Sequence, residues 1–419
     1  MSKFLIEGQH KLSGEIRVAG NKNASLPIIA ATVLTDQECI LENVPDIRDV
    51  HAMFSIAEDL GKTVIKKSDN SYVVSGNISK STPNSNLVQK LRASILFFGA
   101  LIGKTGRAQI SPPGGCVIGR RQMSPHFEAL SDMGVSIEVE DEYFGKIDQS
   151  VDSNIFLREA SVTATENALL VAASSPKKTI IENAACEPHV ADLSLVLQKM
   201  GAKISGIGSN RMEITGTKSL TGFKHTISSD FIESGTFALL AAATHSSLTI
   251  TGIDQSHMHM TGYYLQKMGV ELTYTDNGKS MKIKPGQLKS PERKIQVGLW
   301  PGFPTDLMSP MIVLATQSKG TTLCHDWMFE SRMFFVDKLI SMGADITLCD
   351  PHRVLVTGPK QLKSQKLSSP DIRAGIALVI AALIARGESI IDNAELVDRG
   401  YQNIVERLTN IGAVIKRVE

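Results

Sequence analysis

Hydrophobic and polar positions along the chain recur in a unit of about 70 residues. Each copy begins with a stretch that is apolar around most of a helix circumference, which indicates a helix enclosed by protein on every side. A short β-type run follows, then an amphipathic helix, then two alternating strands around a polar turn. The predicted buried helices cover residues 24–34, 93–102, 168–174, 236–244, 307–316 and 374–385.

An apolar residue followed by glycine ends the amphipathic helix of every copy. Glycine is suited to the left-handed conformation that closes a helix at its C-terminus. The glycines are Gly61, Gly134, Gly201, Gly269, Gly343 and Gly412. Their regular spacing predicts one supersecondary unit repeated six times, which divides most naturally into two domains of three units. Function is expected in the residues that differ between the copies.

Composition limits the classes of partner. The chain has 44 basic and 43 acidic residues without a long run of either sign, so it lacks the electrostatic footprint of a protein that binds nucleic acid or an anionic membrane. No apolar stretch reaches the roughly 18 residues of a membrane span. The cysteines show no CxxC spacing and the N-terminus no signal-peptide pattern. We therefore expect a cytoplasmic protein without disulfides that acts on a small molecule.

The residues just before the buried helices are expected to carry the chemistry, because unpaired N–H groups and the helix dipole attract anions there. Three cations occupy such positions, namely Lys22, Arg92 and Arg373. A cation at the positive end of a helix costs stability unless an anion lies between them, so we predict a functional role for all three. The Ser, Thr, Asn and Asp residues at these N-termini are equally well explained as ordinary helix caps.

The most unusual loop covers residues 112–121 and reads PPGGCVIGRR. Its glycines let the backbone approach a ligand or move as a lid, and its arginines would lower the pKa of Cys116. The alternative is a Pro/Gly turn with an incidental cysteine, which we favour less because structural cysteines usually lie in apolar stretches. The remaining cysteines are predicted to be core or surface residues: Cys39, Cys186, Cys324 and Cys349.

Two patterns resemble binding sites without meeting their requirements, and two arginines are of interest only because of their position in the repeat. Residues 99–105 are one residue short of a phosphate loop and lie at the end of a buried helix, which predicts a helix C-cap. His257 and His259 have no third ligand close in sequence, so we predict no metal site. Arg332 and Arg399 could each be an ordinary surface arginine. Their register in the repeat is that of the cysteine loop, so we expect them to face the same cleft.

Together these residues closely resemble the UDP-N-acetylglucosamine 1-carboxyvinyltransferases, the enolpyruvyl transferases that open peptidoglycan synthesis. The resemblance runs from Lys3 to Val418 and rests on motifs in family order: GNKNA at 20–24, RAS at 92–94, PGGC at 113–116, ESGT at 233–236, FPTD at 303–306 and DRGY at 398–401. It implies an α/β fold of two inside-out α/β barrels with buried helices and outer sheets. Residues 22–229 would form the first barrel, and residues 1–21 with 230–419 the second.

The resemblance also implies the reaction. Enolpyruvate would pass from phosphoenolpyruvate to the 3′-hydroxyl of UDP-N-acetylglucosamine by addition and elimination, with release of phosphate and without a metal, a cofactor or an obligate protein partner. Such chemistry needs a cationic clamp, an acid for the vinyl carbon and a base for the hydroxyl. Lys22, Arg121 and Arg399 match the family's phosphoenolpyruvate clamp, and Arg92 lies close by.

The acid and the base are likewise implied by the resemblance. Cys116 matches the family's general acid, which is the target of fosfomycin. Asp306 matches the carboxylate that orients and deprotonates the acceptor hydroxyl, and its place at a helix N-terminus stabilises the anion. The substrate-binding residues implied are Asn23, Arg92, Arg121, Gln122, Met123, Ser124, Ser161, Val162, Thr163, Asp306, Phe329 and Arg332.

The chain departs from the family pattern where the nucleotide should bind. The family's Arg-Pro-hydrophobic-Asp reads RQMS at 121–124, its Ser-Val-Gly reads SVT at 161–163, and Phe231 replaces a usual arginine. Two alternatives therefore stay open, namely enolpyruvyl transfer to another nucleotide or sugar and a non-catalytic ligand-binding homologue. A shikimate-3-phosphate enzyme is less favoured, because that branch does not rely on the glycine-flanked cysteine. We expect the loop at 112–122 to close when the acceptor binds.

Overall fold

The computed structural model describes residues 2–115, 119 and 122–419 of the 419-residue chain. Two predicted site residues, Cys116 and Arg121, lie outside the described residues, so their roles stay predictions.

The α-helices within these ranges are α1 (Lys22–Ala31), α2 (Arg48–Asp59), α3 (Ser85–Val88), α4 (Leu96–Thr105), α5 (Ser124–Asp132), α6 (Val162–Ala173), α7 (Pro188–Lys199), α8 (Phe231–Ala243), α9 (His259–Lys267), α10 (Met308–Thr316), α11 (Val336–Ser341), α12 (Ile372–Ile384) and α13 (Ile404–Asn410). Short 3-10 turns cover Arg92–Ile95, Thr305–Leu307 and Ala394–Arg399, among others.

The strands are β1 (Lys3–Glu7), β2 (Ser13–Arg17), β3 (Cys39–Glu42), β4 (Thr63–Ser68), β5 (Ser71–Ser75), β6 (Arg107–Ile110), β7 (Val135–Val139), β8 (Tyr143–Ile147), β9 (Ser153–Phe156), β10 (Lys178–Glu182), β11 (Lys203–Ser205), β12 (Arg211–Thr215), β13 (Phe223–Thr226), β14 (Ser247–Thr251), β15 (Glu271–Thr275), β16 (Ser280–Lys284), β17 (Ile295–Gln296), β18 (Gly320–His325), β19 (Asp345–Asp350), β20 (Arg353–Gly358), β21 (Lys366–Ser368), β22 (Glu388–Asp392) and β23 (Val414–Val418).

The predicted apolar helices are buried along almost their whole length. They are α1, α4 and α6 in one part of the chain and α8, α10 and α12 in the other. Within each group the helices pack against one another. Beyond their first turns they consist mostly of Ala, Leu, Ile and Val, so burial on all sides is the arrangement that removes the most apolar surface from water.

The third buried helix begins six residues earlier than the pattern predicted. α6 starts at Val162, whereas the prediction placed its start at residue 168. The polar residues Thr165, Glu166 and Asn167 suggested a loop, yet they lie inside the helix and are buried. Thr165 bonds to Ala185, and Asn167 bonds to Gly99 and Ile95. The sequence pattern carries no sign of these partners.

Six sheets of three or four strands accompany the helices, in the orders β13-β3-β5-β4, β6-β8-β7, β11-β12-β10-β9, β15-β16-β14-β2, β17-β18-β20-β19 and β21-β22-β1-β23. A buried helix connects parallel strands in the third of these, because β9 runs parallel to β10 with Thr179 opposite Ser153. The hairpin β11–β12 then adds antiparallel strands. Helices inside and sheets outside confirm the predicted inside-out α/β class.

The glycines that close the amphipathic helices all have positive φ, between 86° and 114°. This is the left-handed region predicted for them, in which a side chain would be strained. One detail differs at the end of α4, where the C-cap is Gly106 with φ of 75° and not Gly103.

The chain folds into two compact units. The first unit contains residues 20–115 and 122–228, with α1, α4 and α6, and the second contains residues 2–19 and 229–419, with α8, α10 and α12. That each half is a domain with the boundaries expected from the resemblance stays a proposal.

Candidate active site

Lys22 begins the buried helix α1 in the first unit and is itself buried. Asn21 caps this helix, and its Oδ1 accepts the N–H groups of Asn23 and Ala24 at 2.8 and 3.3 Å. The Lys22 ammonium lies 2.7 Å from Oδ2 of Asp49, which belongs to the first turn of α2. The anion that the sequence requires beside this cation is therefore supplied by the protein.

Arg92 opens the 3-10 turn that leads into α4, and it reaches the segment that follows the cysteine loop. Its Nη2 donates to the backbone carbonyl oxygen of Gln122 at 3.2 Å. Ser124 Oγ donates to Gln122 Oε1 at 3.2 Å, and Met123 packs against the hydrophobic core. The predicted residues Arg92, Gln122, Met123 and Ser124 therefore form one local group.

The first turn of α6 contains the other predicted nucleotide element. Ser161 is the N-cap, and its Oγ accepts the N–H of Ala164 at 3.4 Å. Val162 packs on the core. Thr163 Oγ1 lies 3.0 Å from Nε2 of His126, a buried side chain of α5. Thr163, which stands where the family usually has a glycine, is thus bonded to His126, a residue that the sequence analysis did not single out.

Two buried titratable groups share this region, and both are shifted toward their neutral forms. Burial, with the charge of Arg92, lowers the pKa of His126 to about 3. Burial, with the nearby Glu187 carboxylate, raises the pKa of Glu166 well above its ordinary value. Within the part of the chain that the structure describes, Glu166 Oε1 has no hydrogen-bond partner. We refer to His126, Thr163, Glu166 and Asn167 as the α6 cluster.

In the second unit, Asp306 lies in the 3-10 turn before α10 and is held by two buried arginines. Nε and Nη2 of Arg373 both contact Oδ2 at 2.8 Å, and Nη2 of Arg332 contacts Oδ1 at 2.9 Å. Burial opposes the charge of Arg373, yet the Asp306 carboxylate raises the pKa of Arg373 above its ordinary value. The prediction that Arg373 needs an anion at the N-terminus of α12 is met by Asp306.

Tyr401 extends this group of charges. The Thr236 hydroxyl donates to the carbonyl oxygen of Ile232 at 2.8 Å, so it accepts from the Tyr401 hydroxyl at 2.9 Å. The Tyr401 oxygen in turn accepts from Arg373 Nη1 at 3.2 Å. We refer to Asp306, Arg332, Arg373 and Tyr401 as the Asp306 cluster.

A second carboxylate supports the loop that carries Phe329. Asp326 is fully buried, and its Oδ1 accepts the N–H groups of Met328 and Phe329 at 3.0 and 3.3 Å. Thr305 Oγ1 donates to its Oδ2 at 2.5 Å. The Phe329 ring lies 5.6 Å from the Arg332 guanidinium carbon. Asp326 therefore ties this loop to the turn that contains Asp306.

Arg399 ends the 3-10 turn Ala394–Arg399 and is partly exposed. Its neighbours in the DRGY motif have structural partners. Arg417 forms a two-bond contact with Asp398 at 2.5 and 2.7 Å, and Tyr401 is buried in the Asp306 cluster. The motif therefore presents Arg399 from a turn anchored on both sides.

Two other motif residues have structural partners. Glu233, in the ESGT motif, pairs with Arg407 Nη1 at 2.6 Å and accepts the Ala19 N–H at 2.6 Å. Phe231 packs against Trp300 and His257, with ring centroids 5.3 and 6.2 Å apart. Glu233 thus fastens the N-terminal segment to α8, and the aromatic residue in place of the family's arginine joins an aromatic group.

The cysteines predicted to be core or surface residues differ in exposure. Cys39 and Cys324 are buried strand residues, whereas Cys186 is half-buried and Cys349 exposed. Burial raises the pKa of Cys39 to about 11, with smaller opposing effects, and that of Cys324 to about 12.

Lys104, in the segment that resembles a phosphate loop, pairs with Asp36 at 2.7 Å. Within its described ranges, the structure has no helix with the length and apolarity that a membrane crossing requires.

The structure therefore groups the predicted residues by unit. Lys22, Asn23, Arg92, Gln122, Met123, Ser124, Ser161, Val162 and Thr163 belong to the first unit, and Asp306, Phe329, Arg332 and Arg399 to the second. Sequence reasoning missed Asp49, His126, Asp326 and Tyr401 as partners of these residues. An acidic residue in a helix first turn could have suggested Asp49. The pattern of polar residues offered no comparable signal for His126.

Comparison with known proteins gives matches over the whole chain. A family model described as EPSP synthase (3-phosphoshikimate 1-carboxyvinyltransferase) matches residues 6–408. A protein of Treponema denticola named UDP-N-acetylglucosamine 1-carboxyvinyltransferase is 47% identical over 427 residues, which cover 100% of each chain. Proteins of the same name from Borreliella burgdorferi and Treponema pallidum are 44% and 45% identical, over 100% and 99% of each chain.

Solved structures match the fold. The enolpyruvyl transferase NikO from Streptomyces tendae gives a TM-score of 0.89 at 23% identity, covering 100% of this chain and 99% of that chain. EPSP synthase from Acinetobacter baumannii gives a TM-score of 0.77 at 17% identity, covering 100% of each chain. At these identities the likeness concerns the fold alone, and it agrees with the six-unit inside-out architecture described above.

Proposed function

The chain belongs to the enolpyruvyl transferase family, and on that premise we propose that it transfers enolpyruvate from phosphoenolpyruvate to the 3′-hydroxyl of UDP-N-acetylglucosamine. Phosphate is released, and the reaction is the first committed step of peptidoglycan synthesis. The observation that carries this proposal is the 47% identity, over 100% of both chains, to a relative with that name. We place the activity in the cytoplasm and propose no obligate protein partner.

The chemistry assigns a role to each predicted group. The acceptor oxygen adds to C2 of phosphoenolpyruvate while C3 takes a proton from the Cys116 thiol. The Cys116 thiolate then takes a proton back from C3, which expels phosphate and restores the double bond. Lys22, Arg121 and Arg399 would neutralise the phosphate and carboxylate of phosphoenolpyruvate, and preorganised cations of this kind stabilise charge that develops in the transition state.

The surroundings of Asp306 refine its proposed role. Two guanidinium groups contact its carboxylate at 2.8 and 2.9 Å, which favours the ionised form and lowers its affinity for a proton. A carboxylate in that state orients a hydroxyl more readily than it removes a proton from one. We therefore propose that Asp306 first positions the 3′-hydroxyl. It accepts the proton only as the new C–O bond forms, because the bonded oxygen is then far more acidic than the free hydroxyl.

The test is phosphate release from phosphoenolpyruvate and UDP-N-acetylglucosamine by the purified full chain, with identification of the enolpyruvyl product. Turnover is expected in the wild type and is expected to be lost in Cys116→Ala. Cys186→Ala is the matched control, because Cys186 is half-buried and burial raises its pKa. No turnover by folded wild-type protein would reject the proposal. Tight ligand binding by calorimetry without product would indicate the non-catalytic homologue instead.

A second candidate is the same transfer to a different nucleotide or sugar. It is favoured by one observation, the side chain of Thr163 bonded to His126 where the family usually has a glycine. An acceptor screen with UDP-N-acetylglucosamine, other UDP-sugars and sugars on other nucleotides distinguishes the two. A much higher kcat/KM for another acceptor would establish the second candidate.

A further inference from the structure

The buried contacts of Asn167 fix which atom it presents to His126. Asn167 Oδ1 accepts the N–H of Gly99 at 2.9 Å, and Nδ2 donates to the carbonyl oxygen of Ile95 at 3.2 Å. A backbone N–H can only donate and a carbonyl oxygen can only accept, so the side-chain amide has a single orientation. Its nitrogen faces His126 Nδ1 at 2.8 Å, and Nδ1 must therefore be the acceptor of that hydrogen bond.

This contact fixes the tautomer of His126. The ring is 1% exposed, and burial together with Arg92 lowers its pKa to about 3, so it is neutral at pH 7. A neutral imidazole whose Nδ1 accepts carries its proton on Nε2. Nε2 lies 3.0 Å from Thr163 Oγ1 and donates to it.

The Thr163 hydroxyl thus accepts a hydrogen bond from the protein and has its own proton left to donate. Among the residues that the structure describes, that proton has no acceptor. Thr163 is partly exposed in the first turn of α6, so a ligand can reach it. A ligand atom that accepts a hydrogen bond there satisfies the one donor of this hydroxyl that the described residues leave unused.

We infer that His126 is a positioning residue for the acceptor substrate, because it leaves the Thr163 hydroxyl free to donate to an oxygen of the uridine diphosphate moiety. This inference rests on the proposed function, in which residues 161–163 bind the nucleotide. It adds a side-chain donor at a place where the family usually has a glycine. Both the diphosphate and the uracil carry oxygens that can accept this hydrogen bond.

The main test compares variants of Thr163 by calorimetry with UDP-N-acetylglucosamine. Thr163→Val keeps the shape and removes the hydroxyl, so we expect the Kd to rise by roughly tenfold, whereas Thr163→Ser should stay within about threefold of wild type. The KM for phosphoenolpyruvate should change by less than about twofold, since that substrate does not need the hydroxyl. An unchanged Kd in Thr163→Val would overturn the inference.

Thr165→Val is the matched control, two residues along the same helix. The Thr165 hydroxyl donates to the carbonyl oxygen of Ser161 at 2.8 Å and accepts the Ala185 N–H at 3.0 Å. Its loss should lower stability without a selective change in nucleotide-sugar affinity. An equal rise in Kd in both variants would mean that Thr163 acts only through the integrity of the helix, against the inference.

The role of His126 is tested by a double-mutant cycle. His126→Leu should weaken UDP-N-acetylglucosamine binding in the wild type but add little in Thr163→Val, because it acts through that hydroxyl. His126→Gln, which can place an N–H near the position of Nε2, should restore part of the affinity. Additive effects of the two changes would contradict the proposed coupling. Nitrogen NMR should find His126 protonated on Nε2 and without titration between pH 5 and 8, and a proton on Nδ1 would reject the premise.

Two ligands separate the possible oxygen sources. If the diphosphate accepts the hydrogen bond, Thr163→Val weakens UDP and leaves uridine unaffected. Equal weakening of uridine assigns the bond to the base, and no effect on either ligand overturns the inference. Wild-type turnover is the separate test of the proposed function. Turnover together with unaltered nucleotide affinity in Thr163→Val would remove this inference alone.

Discussion

The Asp306 cluster and the α6 cluster bury polar groups in opposite ways. In the Asp306 cluster the charges are kept and paired, since two buried arginines share one carboxylate. In the α6 cluster the titratable groups are shifted toward neutrality, His126 by a lowered and Glu166 by a raised pKa. An unpaired buried charge costs so much free energy that a group either finds a counter-ion or gives up its charge.

The two clusters should therefore respond differently to pH and to substitution. A paired cluster should tolerate a change of pH but should fail when one partner is removed, because the remaining charge is stranded. A neutral cluster should tolerate replacement by neutral side chains but should respond to pH as its groups are forced to ionise. The expected effects below follow from this contrast.

The largest effect is expected for Asp306→Asn. The change removes the carboxylate that would orient the acceptor, so we expect kcat to fall by roughly 10²–10⁴. It also leaves Arg332 and Arg373 without their shared anion, which should reduce the free energy of unfolding by about 3 kcal/mol. Steady-state kinetics and urea unfolding measure the two quantities. Asp345→Asn is the control, because the Asp345–Lys360 pair is exposed on both sides. Activity within threefold of wild type would show that Asp306 is not part of the chemistry.

The sequence analysis singled out Asp306, Arg332 and Arg373, but it did not predict that they contact one another and it missed Tyr401 as their partner. The sequence analysis identified Arg373 because a cation at a helix N-terminus is electrostatically unfavourable, and this signal can be read from the local sequence. Its bonds to Asp306 span 67 residues, and the bond from Arg332 to Asp306 spans 26. Nothing local in the sequence fixes such distances. The resemblance implied substrate-binding roles for Asp306 and Arg332 but none for Arg373 or Tyr401.

For α6 the sequence predicted a buried helix but missed the polar residues at its start. Buried helices and closing glycines were predicted because apolar periodicity and left-handed caps are local properties. The start of α6 was missed because Glu166 and Asn167 look like loop residues. Asn167 is satisfied by Gly99 and Ile95, 68 and 72 residues away. A polar residue whose partners are that distant in sequence cannot be distinguished from an exposed one by pattern alone.

Replacement of two buried glutamates by glutamine is expected to change the free energy of unfolding in opposite directions. Glu233 is paired with Arg407, so Glu233→Gln should cost about 3 kcal/mol. Burial, with the nearby Glu187, raises the pKa of Glu166, so the native state keeps a proton that the unfolded chain releases above pH 4.5. Stability is therefore lost as pH rises toward the folded pKa, and Glu166→Gln should be more stable than wild type at pH 8 but little different at pH 4. Urea unfolding at several pH values measures both, and a destabilised Glu166→Gln at pH 8 would contradict the assignment.

His126 should make the wild type sensitive to acid. The unfolded ring takes a proton below its ordinary pKa of 6.5, whereas in the native state burial, with Arg92, lowers that pKa to about 3. Stability is therefore lost as pH falls from 6.5 toward 3, by about 2 kcal/mol between pH 7.5 and pH 5. His126→Gln should lose less over that range, and His259→Gln, a change at an exposed ring, should behave as wild type. Equal acid sensitivity in His126→Gln would refute the neutral ring.

The smallest effect concerns one hydroxyl of the Asp306 cluster. Tyr401→Phe removes the group that donates to Thr236 and accepts from Arg373, so we expect a loss of about 1 kcal/mol in unfolding free energy. Tyr72→Phe is a matched control, because the Tyr72 hydroxyl is buried without a partner in the described part of the chain. Its removal should be neutral or stabilising, since an unsatisfied polar group is replaced by an apolar one. Equal losses would mean that ring packing and not hydrogen bonding determines both values, and Tyr401 would then not belong to the paired network around Asp306.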